Sequence, residues 1–278
     1  MLALDTAAVQ QWAKKNREDL AFWGIFLVSG MVLMWLFSDW DFSLLLTLSS
    51  LTSMFAFLMV AAKIDSSKSA RGVSLRMFEC YLLVAICRLI AILPFQAYLP
   101  YDKTGDWLYQ VVEVISFVLV CATVYMLRIR YAASYEAESD KFPHVYLMGG
   151  ALILALLFHP SLNSSMPIDV SWTFALYLEA VTVLPQLLMF QRSGKVETFT
   201  SHFLAAQALS RVLSFVFWSH SHQELNDNSR SLKSYVGWWV LGMQFVQLIV
   251  MADFVYYYVR CIRKGISVQY IMLASETV

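Results

Sequence analysis

The sequence predicts an all-α protein that crosses a membrane several times, and three observations support this. Hydrophobic residues make up 59% of the 278 and charged residues only 14%, which leaves too little polar surface to cover a soluble globule. Long apolar stretches recur along the chain, and the Lys and Arg residues gather between alternate stretches. Because a bilayer offers no water to pair backbone N–H and C=O groups, each apolar stretch is expected to be a helix.

About eight stretches have the length of a membrane span, since roughly 20 mostly apolar residues cross about 30 Å of hydrocarbon. The fifth is short, and the second begins almost directly after the first. The predicted spans are residues 21–38, 42–62, 76–97, 107–127, 144–158, 170–191, 200–219 and 235–259.

The positions of the Lys and Arg residues predict the orientation. With a cytosolic N-terminus, fifteen of the 20 lie on the cytosolic side, three on the opposite side, and Arg88 and Arg211 within spans. Since cytosolic loops carry the excess of Lys and Arg, both ends of the chain are expected in the cytosol. Such a topology requires an even number of spans.

Ionisable residues inside the spans mark candidate sites, because each costs about 2.5–3.5 kcal/mol on insertion scales. Glu179 and Arg211 fall near the centres of their spans, so we expect a buried ion pair between them. Arg88 has no evident acidic partner at its own depth, and its guanidinium is therefore expected to face an anionic ligand. Glu113 and Asp253 complete the set.

Other chemistry is sparse in the sequence. His220 and His222 fall in a predicted lumenal loop, where they are either solvated or sense an acidic lumen. No zinc-ligand spacing, glycine-rich phosphate loop or Ser/His/Asp arrangement is present, so no enzyme activity, metal or cofactor is predicted. The net charge of zero gives no indication of a nucleic-acid partner.

Ordered motifs run from Trp172 to Trp218. They are Tyr177-Leu178-Glu179-Ala180-Val181, Leu184-Pro185-Gln186-Leu187, Glu197-Thr198 and Ser201-His202. Further matches are Gly72-Val73-Ser74, Arg88-Leu89, the stretch from Arg128 to Tyr135, and Ala252-Asp253-Phe254. Over roughly residues 42–260 this pattern resembles the KDEL-receptor (ER lumen protein-retaining receptor) family. The additional N-terminal span is similar to its eight-helix receptor-like branch.

The resemblance also implies an architecture. Leu184-Pro185-Gln186-Leu187 is similar to the element of PQ-loop and SWEET folds, which implies two parallel three-helix repeats, spans two to four and six to eight, joined by the short fifth span. A proline in a span also permits a kink. The predicted organisation is a cytosolic segment with an extra transmembrane helix (1–41), a seven-helix receptor core (42–260) and a cytosolic tail (261–278).

The resemblance implies a receptor of the ER and Golgi membranes that binds C-terminal Lys/His-Asp-Glu-Leu signals of ER-lumenal proteins in a lumen-facing cavity. It implies return to the ER with the coat machinery on the cytosolic side. Carried over position by position, it implies that Arg88 holds the peptide carboxylate while Asp169 and Trp218 contact the peptide. It further implies a buried pair of Glu179 and Arg211, and a transport-linked Asp253.

Five positions depart from the family pattern. Leu46 and Ser53 stand where the family has an arginine and a histidine pH sensor, Leu89 and Ser210 replace tyrosines, and Ser221 replaces a third peptide-binding arginine. Losing two arginines removes charge-assisted hydrogen bonds of about 1.5–3 kcal/mol each. The sequence therefore leaves open a sorting receptor with altered preference, a PQ-loop small-molecule transporter, and a scaffold that binds no ligand.

Overall fold

A computed structural model describes residues 44–95, 99, 106–162, 165–194, 196–228 and 235–263, together with six isolated positions before residue 44. Apart from four of these positions, the predicted first span lies outside the described residues, as does most of the predicted tail. Every regular element in the described part of the chain is helical. The helices are α1 (Leu44–Ser67), α2 (Leu75–Ile92), α3 (Asp106–Tyr125), α4 (His144–Leu157), α5 (Met166–Val181), α6 (Leu184–Ser193), α7 (Thr198–Asn228) and α8 (Val236–Arg263).

A helix, or for the sixth span a pair of consecutive helices, lies at each predicted span from the second to the eighth. Four continuous or nearly continuous helical stretches in the described residues are long and apolar enough to cross a membrane by themselves: Leu44–Ser67, Asp106–Arg130, Met166–Ser193 and Val236–Arg263. The short fifth span corresponds to α4, an apolar helix of 14 residues. The prediction of an all-α multi-pass membrane protein is confirmed.

Two local features interrupt the helices. The sixth predicted span breaks at Thr182–Val183, and Pro185 occupies the first turn of α6, where its missing N–H costs no helical hydrogen bond. Gly194 closes α6 in the left-handed conformation (φ 63°), which glycine adopts without strain. At the end of α3 the chain widens into a π-helical turn, Met126–Arg130, a feature that the apolar pattern does not signal.

The helices pack as two similar groups of three. In the first group α3 packs against both α1 and α2, and in the second α8 packs against both α5 and α7. The groups meet through α1 against α7 and α2 against α5, while α4 lies on α5. Replacing α1, α2 and α3 by α5, α7 and α8 respectively, and the reverse, reproduces the same contacts within and between the two groups. This arrangement matches the two three-helix repeats, with a linker helix, that the sequence resemblance implied.

An aromatic cluster packs between the two groups of helices. The rings of Phe57 and Tyr81 lie 5.0 Å apart edge to face, and those of Phe78 and Phe203 stack at 5.7 Å. All four side chains are buried. We call these four residues the aromatic plug, because they occupy the space between α1, α2 and α7 on the side of the predicted cytosolic ends.

α7 is longer than predicted. The expected span ended at residue 219, but the helix continues through Asn228. His220 and His222 therefore lie on a helix, and the prediction that they occupy a loop is wrong. Polar residues such as Gln and Glu have good helix propensity, so loss of apolar character at the end of a span does not end the helix. The His222 ring packs 4.6 Å from that of Trp238 on α8.

Candidate functional site

A polar cavity of about 60 Å³ lies between the two groups of helices. Its walls come from α1, α2, α3, α5, α7 and α8. The lining residues extend from the side that the Lys and Arg pattern assigns to the lumen down to Glu179 and Arg211 near mid-span. The lining includes Arg88, Glu113, Glu179 and Arg211, the indole of Trp218, and five serines, Ser49, Ser50, Ser53, Ser210 and Ser214. Such a density of polar groups inside a helical bundle indicates a ligand or ion site.

Glu179 is the centre of the charged cluster. Its Oε1 lies 2.8 Å from Arg211 Nη1, and its Oε2 accepts a hydrogen bond from Arg88 Nη2. The Glu179 side chain is 4% exposed and that of Arg211 is 6% exposed. The predicted pair of Glu179 and Arg211 is thus brought together, but it shares its carboxylate with a second guanidinium.

The expectation that Arg88 lacks an acidic partner is wrong. Besides Glu179, Glu113 lies near it, with Oε2 3.6 Å from Arg88 Nη1. Glu113 Oε1 also accepts a hydrogen bond of 2.8 Å from Ser50 Oγ. Two guanidiniums and two carboxylates therefore meet in one cavity with formal charges that cancel. The sequence did not indicate this contact, because Arg88 and Glu113 are 25 positions apart and lie on different helices, α2 and α3.

Serines at two of the departure positions join α1 to α7. Ser49 and Ser210 donate reciprocally, each hydroxyl to the carbonyl of the other at 2.8 Å. Ser53 Oγ donates to Gln207 Oε1 at 3.1 Å, and Arg211 Nη2 donates to the same oxygen at 3.4 Å. Small hydroxyl side chains let helices approach closely in a membrane. These serines thus join α1 and α7 in the wall of the cavity.

The cavity also contains unsatisfied polar atoms. Among the described residues, Arg211 Nε and Gln244 Oε1 are buried and have no hydrogen-bond partner. One is a donor and the other an acceptor, and both residues line the cavity. Because a buried polar atom without a partner costs about 1–3 kcal/mol, a ligand that pairs with these atoms gains that energy.

The other predicted site residues lie in different places. Trp218 lines the cavity, 7% exposed, with its ring 5.0 Å from that of Phe217. Asp169 is buried in the first turn of α5 and is not among the residues that line the cavity. Its contact with the peptide stays a prediction. Asp253 is exposed on α8, away from the cavity. Its transport-linked role stays a prediction.

Gln186 is a structural residue whose role the sequence did not indicate. Its Oε1 accepts from the backbone N–H of Ser74 at 2.8 Å, and its Nε2 donates to the carbonyl of Gly72 at 3.0 Å. Gly72 has φ 72°, a conformation that favours glycine. The glutamine of the Leu184-Pro185-Gln186-Leu187 element thus ties α6 to the loop before α2, and so joins the two repeats.

Asp140 completes this junction on the predicted cytosolic side. Ser74 caps α2 by accepting from the N–H of Met77 at 3.1 Å, and its hydroxyl donates to Asp140 Oδ1 at 2.8 Å. The Tyr135 hydroxyl donates to Asp140 Oδ2 at 2.6 Å. Burial and this hydrogen bond raise the pKa of Tyr135, so the phenol remains a donor at neutral pH.

Comparisons with known proteins agree with this architecture. The sequence profile of the ER lumen protein retaining receptor family matches residues 69–221. The chain is 31% identical over 223 residues to ER lumen protein-retaining receptor erd-2.2 of Caenorhabditis elegans, covering 79% of this chain and 95% of that protein. It is 32% identical over 221 residues to ER lumen protein-retaining receptor 3 of Mus musculus, with 78% and 93% covered.

The relative from Plasmodium falciparum, also named ER lumen protein-retaining receptor, is 31% identical over 212 residues, covering 75% of this chain and 86% of that protein. Nearly the whole length of these relatives is therefore matched, while about a fifth of this chain or more lies outside the match. With the family profile covering more than half of the chain and the relatives aligned over most of it, the chain belongs to the ER lumen protein-retaining receptor family.

Proposed function

We propose that this protein is a sorting receptor that binds the free C-terminus of ER-lumenal proteins bearing Lys/His-Asp-Glu-Leu-type signals and returns them to the ER. The observation that carries the proposal is a cavity with both guanidiniums of Arg88 and Arg211 on its wall, in a chain of the retaining-receptor family. Arginine pairs with carboxylates through parallel hydrogen bonds, so such a wall suits the carboxylate of a peptide.

The location of the cavity supports a receptor over a transporter. Its lining residues extend from the side that the Lys and Arg pattern assigns to the lumen as far as Glu179 and Arg211 near mid-span. The aromatic plug of Phe57, Phe78, Tyr81 and Phe203 packs on the opposite side and is fully buried. A transporter requires the site to open to both sides in turn, and close-packed aromatic rings oppose opening towards the cytosol.

The peptide enters by widening the mouth of the cavity. At about 60 Å³ the space has room for a few waters rather than four amino-acid residues. Arg88 is the more accessible guanidinium, with 19% of its side chain exposed against 6% for Arg211. Arg88 therefore meets the terminal carboxylate, and the Trp218 indole packs on the last side chain. Asp169 reaches the peptide only if the first turn of α5 moves.

The specificity should differ from the family pattern. Leu46 lines the cavity as an apolar side chain, and Ser221 is buried and neutral. With no cation at either position, the acidic residues before the C-terminus lose charge-assisted hydrogen bonds. The affinity of the site for a peptide should depend more on the free C-terminal carboxylate than on the preceding Asp and Glu side chains.

Location and partners follow from the same proposal. The receptor acts in the ER and Golgi membranes with both termini in the cytosol, where coat machinery engages it. On this arrangement the surface formed by the loop after α1, the π-helical end of α3 and the end of α8 faces the cytosol. The bilayer surrounds the remaining helix faces, which expose large apolar side chains such as Ile153, Leu157 and Ile249.

The test is titration of the purified full-length protein with four peptides ending in Lys-Asp-Glu-Leu: the free acid, its C-terminal amide, and two in which Asp or Glu is replaced by its amide. We expect the free acid to bind, the C-terminal amide to lose binding, and the two side-chain amides to lose less. Trp218→Ala should weaken binding of the free-acid peptide. Trp107 is exposed on α3, and Trp107→Ala should leave that binding unchanged. If the C-terminal amide binds as well as the free acid, the carboxylate site is wrong. If none of the peptides binds, the receptor proposal fails.

A further inference from the structure

We propose that a second cavity, on the predicted cytosolic side, binds the headgroup of an anionic lipid that carries a phosphate monoester, with Lys63 and Arg71 as its cationic contacts. This headgroup cavity, of about 250 Å³, lies between the end of α1, the loop from α1 to α2 and the start of α7. None of the described residues that line it also lines the polar cavity. The inference therefore goes beyond the proposed function, and it depends on the proposed orientation only for which leaflet supplies the lipid.

The headgroup cavity lies at the boundary between the bilayer and the aqueous phase. The predicted spans end at residue 62 and begin again at residues 76 and 200, and the described lining residues fall between 60 and 73 or between 197 and 200. Lipid phosphates lie at this level, and basic pockets between transmembrane helices on the cytosolic side suit such headgroups. A lipid can therefore place its headgroup in the cavity while its chains stay in the bilayer.

The two cations of the cavity differ from their neighbours in charge pairing. Asp65 binds both Lys68, at 3.3 Å, and Arg130, at 2.9 Å. Lys63 and Arg71 are exposed, and in the part of the chain that the structure describes neither forms an ion pair. These two positive charges are therefore available to an anion.

Arg71 is presented by a fixed piece of backbone. On one side the N–H of Ala70, a fully buried residue, donates to Ser134 Oγ at 2.8 Å. On the other side the Gly72 carbonyl accepts from Gln186 Nε2 at 3.0 Å. When a phosphate binds, only the Arg71 side chain has to be ordered, which lowers the entropic cost of binding.

The rest of the lining suits a lipid better than a free phosphate compound. Ser69 Oγ accepts from the N–H of Arg71 at 3.4 Å, and a hydroxyl that accepts can still donate its hydrogen to a phosphate oxygen. The side chains of Val60, Ile64 and Val73 are apolar and buried. They offer contacts to the glycerol and the first carbons of the chains, which a free headgroup lacks.

Lys63 and Glu197 should have opposite effects on an anion. The Lys63 ammonium lies 5.6 Å from the centre of the Phe199 ring. Glu197 is the one carboxylate among the described lining residues, which leaves the lining with a net positive charge. Its stem packs on Gly72, where a Cβ would overlap Glu197 Cγ. Glu197 is thus held beside the cavity, where its charge opposes the binding of a phosphate.

The experiment is a titration of the purified full-length protein in a neutral detergent, followed by native mass spectrometry, which counts bound lipids. The probe is dioctanoyl phosphatidylinositol monophosphate, and one molecule should bind per protein. Three compounds serve as comparisons: dioctanoyl phosphatidylinositol and dioctanoyl phosphatidylserine, which lack the monoester, and inositol bisphosphate, which lacks the chains. Each should bind about tenfold or more weakly than the probe.

The variants separate the cavity from diffuse surface charge. Lys63→Gln and Arg71→Gln should each weaken binding of the probe about fivefold, and the double variant about 25-fold. Glu197→Gln should strengthen it severalfold, because a like charge is removed. The matched control is Lys68→Gln, the same substitution five positions along, at a residue paired with Asp65 and outside the lining. It should change the affinity less than twofold.

Four results would each overturn the inference: no binding of the probe, equal binding of a lipid without the monoester, equal binding of inositol bisphosphate, or equal losses in Lys68→Gln and Lys63→Gln. Lys63 and Arg71 are both exposed, so either variant tests the site if the other fails to fold. The peptide titration involves different residues, and peptide affinity should be unchanged in all of these variants. Failure of the lipid site therefore leaves the proposed receptor function standing, and absence of peptide binding leaves the lipid site standing.

Discussion

Glu179 and Arg88 are joined by a hydrogen bond although 91 positions separate them in the chain, and the second oxygen of the same carboxylate binds Arg211. The three residues belong to α2, α5 and α7, so they link the first group of helices to the second at the depth of the cavity. Among the described residues, Glu179 is thus the carboxylate that binds both Arg88 and Arg211. It contributes both to the stability of the bundle and to the electrostatics of the site.

Replacing Glu179 should destabilise the protein strongly. In Glu179→Gln, two guanidiniums face one remaining carboxylate, Glu113, and a buried unpaired charge costs about 3–5 kcal/mol. We expect a marked fall in the melting temperature of the purified protein, followed by tryptophan fluorescence or by a thiol-reactive dye.

The double variant with Arg211→Leu is the control for charge. Arg211→Leu alone leaves Glu113 and Glu179 with only Arg88, so it should also melt early. Combining the two substitutions leaves Arg88 facing Glu113, which is a neutral pair, and should recover part of the loss. A double variant whose loss equals the sum of the two single losses would show that these residues do not interact.

The sequence predicted the helices and part of this cluster for clear physical reasons. Apolar length and the Lys and Arg pattern depend on the bilayer rather than on tertiary contacts, so they are visible in any one span. Glu179 and Arg211 were paired because both fall at mid-span, and depth is readable from position. Which two helices contact each other cannot be derived from the depth of a residue in its span. The packing of α3 against α2, which brings Glu113 to Arg88, depends on side-chain fit along the whole interface.

The ends of elements were predicted less well. α7 continues past the apolar stretch because helix propensity, not hydrophobicity, decides where a helix ends outside the membrane. The role of Gln186 was missed because its partners are backbone atoms at Gly72 and Ser74. No residue pattern at those two positions indicates an acceptor or donor for a distant side chain.

Removing the Gln186 side chain should therefore weaken the junction of the repeats. Gln186→Ala leaves the Ser74 N–H and the Gly72 carbonyl without their partner, in a region where Gln186 itself is fully buried. An unsatisfied buried backbone group costs about 1–3 kcal/mol, so a clear loss of thermal stability is expected. Gln191→Ala changes the same residue type on the same helix at an exposed position and should have little effect. Equal effects would mean that the two hydrogen bonds do not stabilise the fold.

The orientation of the chain can be measured directly. The Lys and Arg pattern predicts that both ends face the cytosol, so protease added to sealed ER vesicles should remove an epitope tag from either end. A tag inserted between the end of α4 and the start of α5, at residues 159–162, should be protected from the protease until detergent is added. Protection of one terminal tag in intact vesicles would contradict an even number of spans.

Gly237 should tolerate no side chain, because the backbones of α7 and α8 approach each other closely there. A Cβ at Gly237 would overlap the backbone carbonyl of His222, whereas a Cβ at Gly242, on the same helix, meets nothing within 4 Å. The obstacle at Gly237 is backbone rather than a flexible side chain, so the helices themselves must separate. Overpacking of this kind costs about 1–3 kcal/mol. Gly237→Ala should lower the melting temperature, while Gly242→Ala should leave it unchanged or raise it slightly, since Ala has the higher helix propensity.

The separation of the helices in Gly237→Ala would also move Val240 and Gln244 of α8 relative to Ser214 of α7, three residues that line the cavity. Peptide affinity should therefore fall in Gly237→Ala and not in Gly242→Ala. Equal melting temperatures and affinities for the two variants would show that the close approach of α7 and α8 at Gly237 does not shape the site.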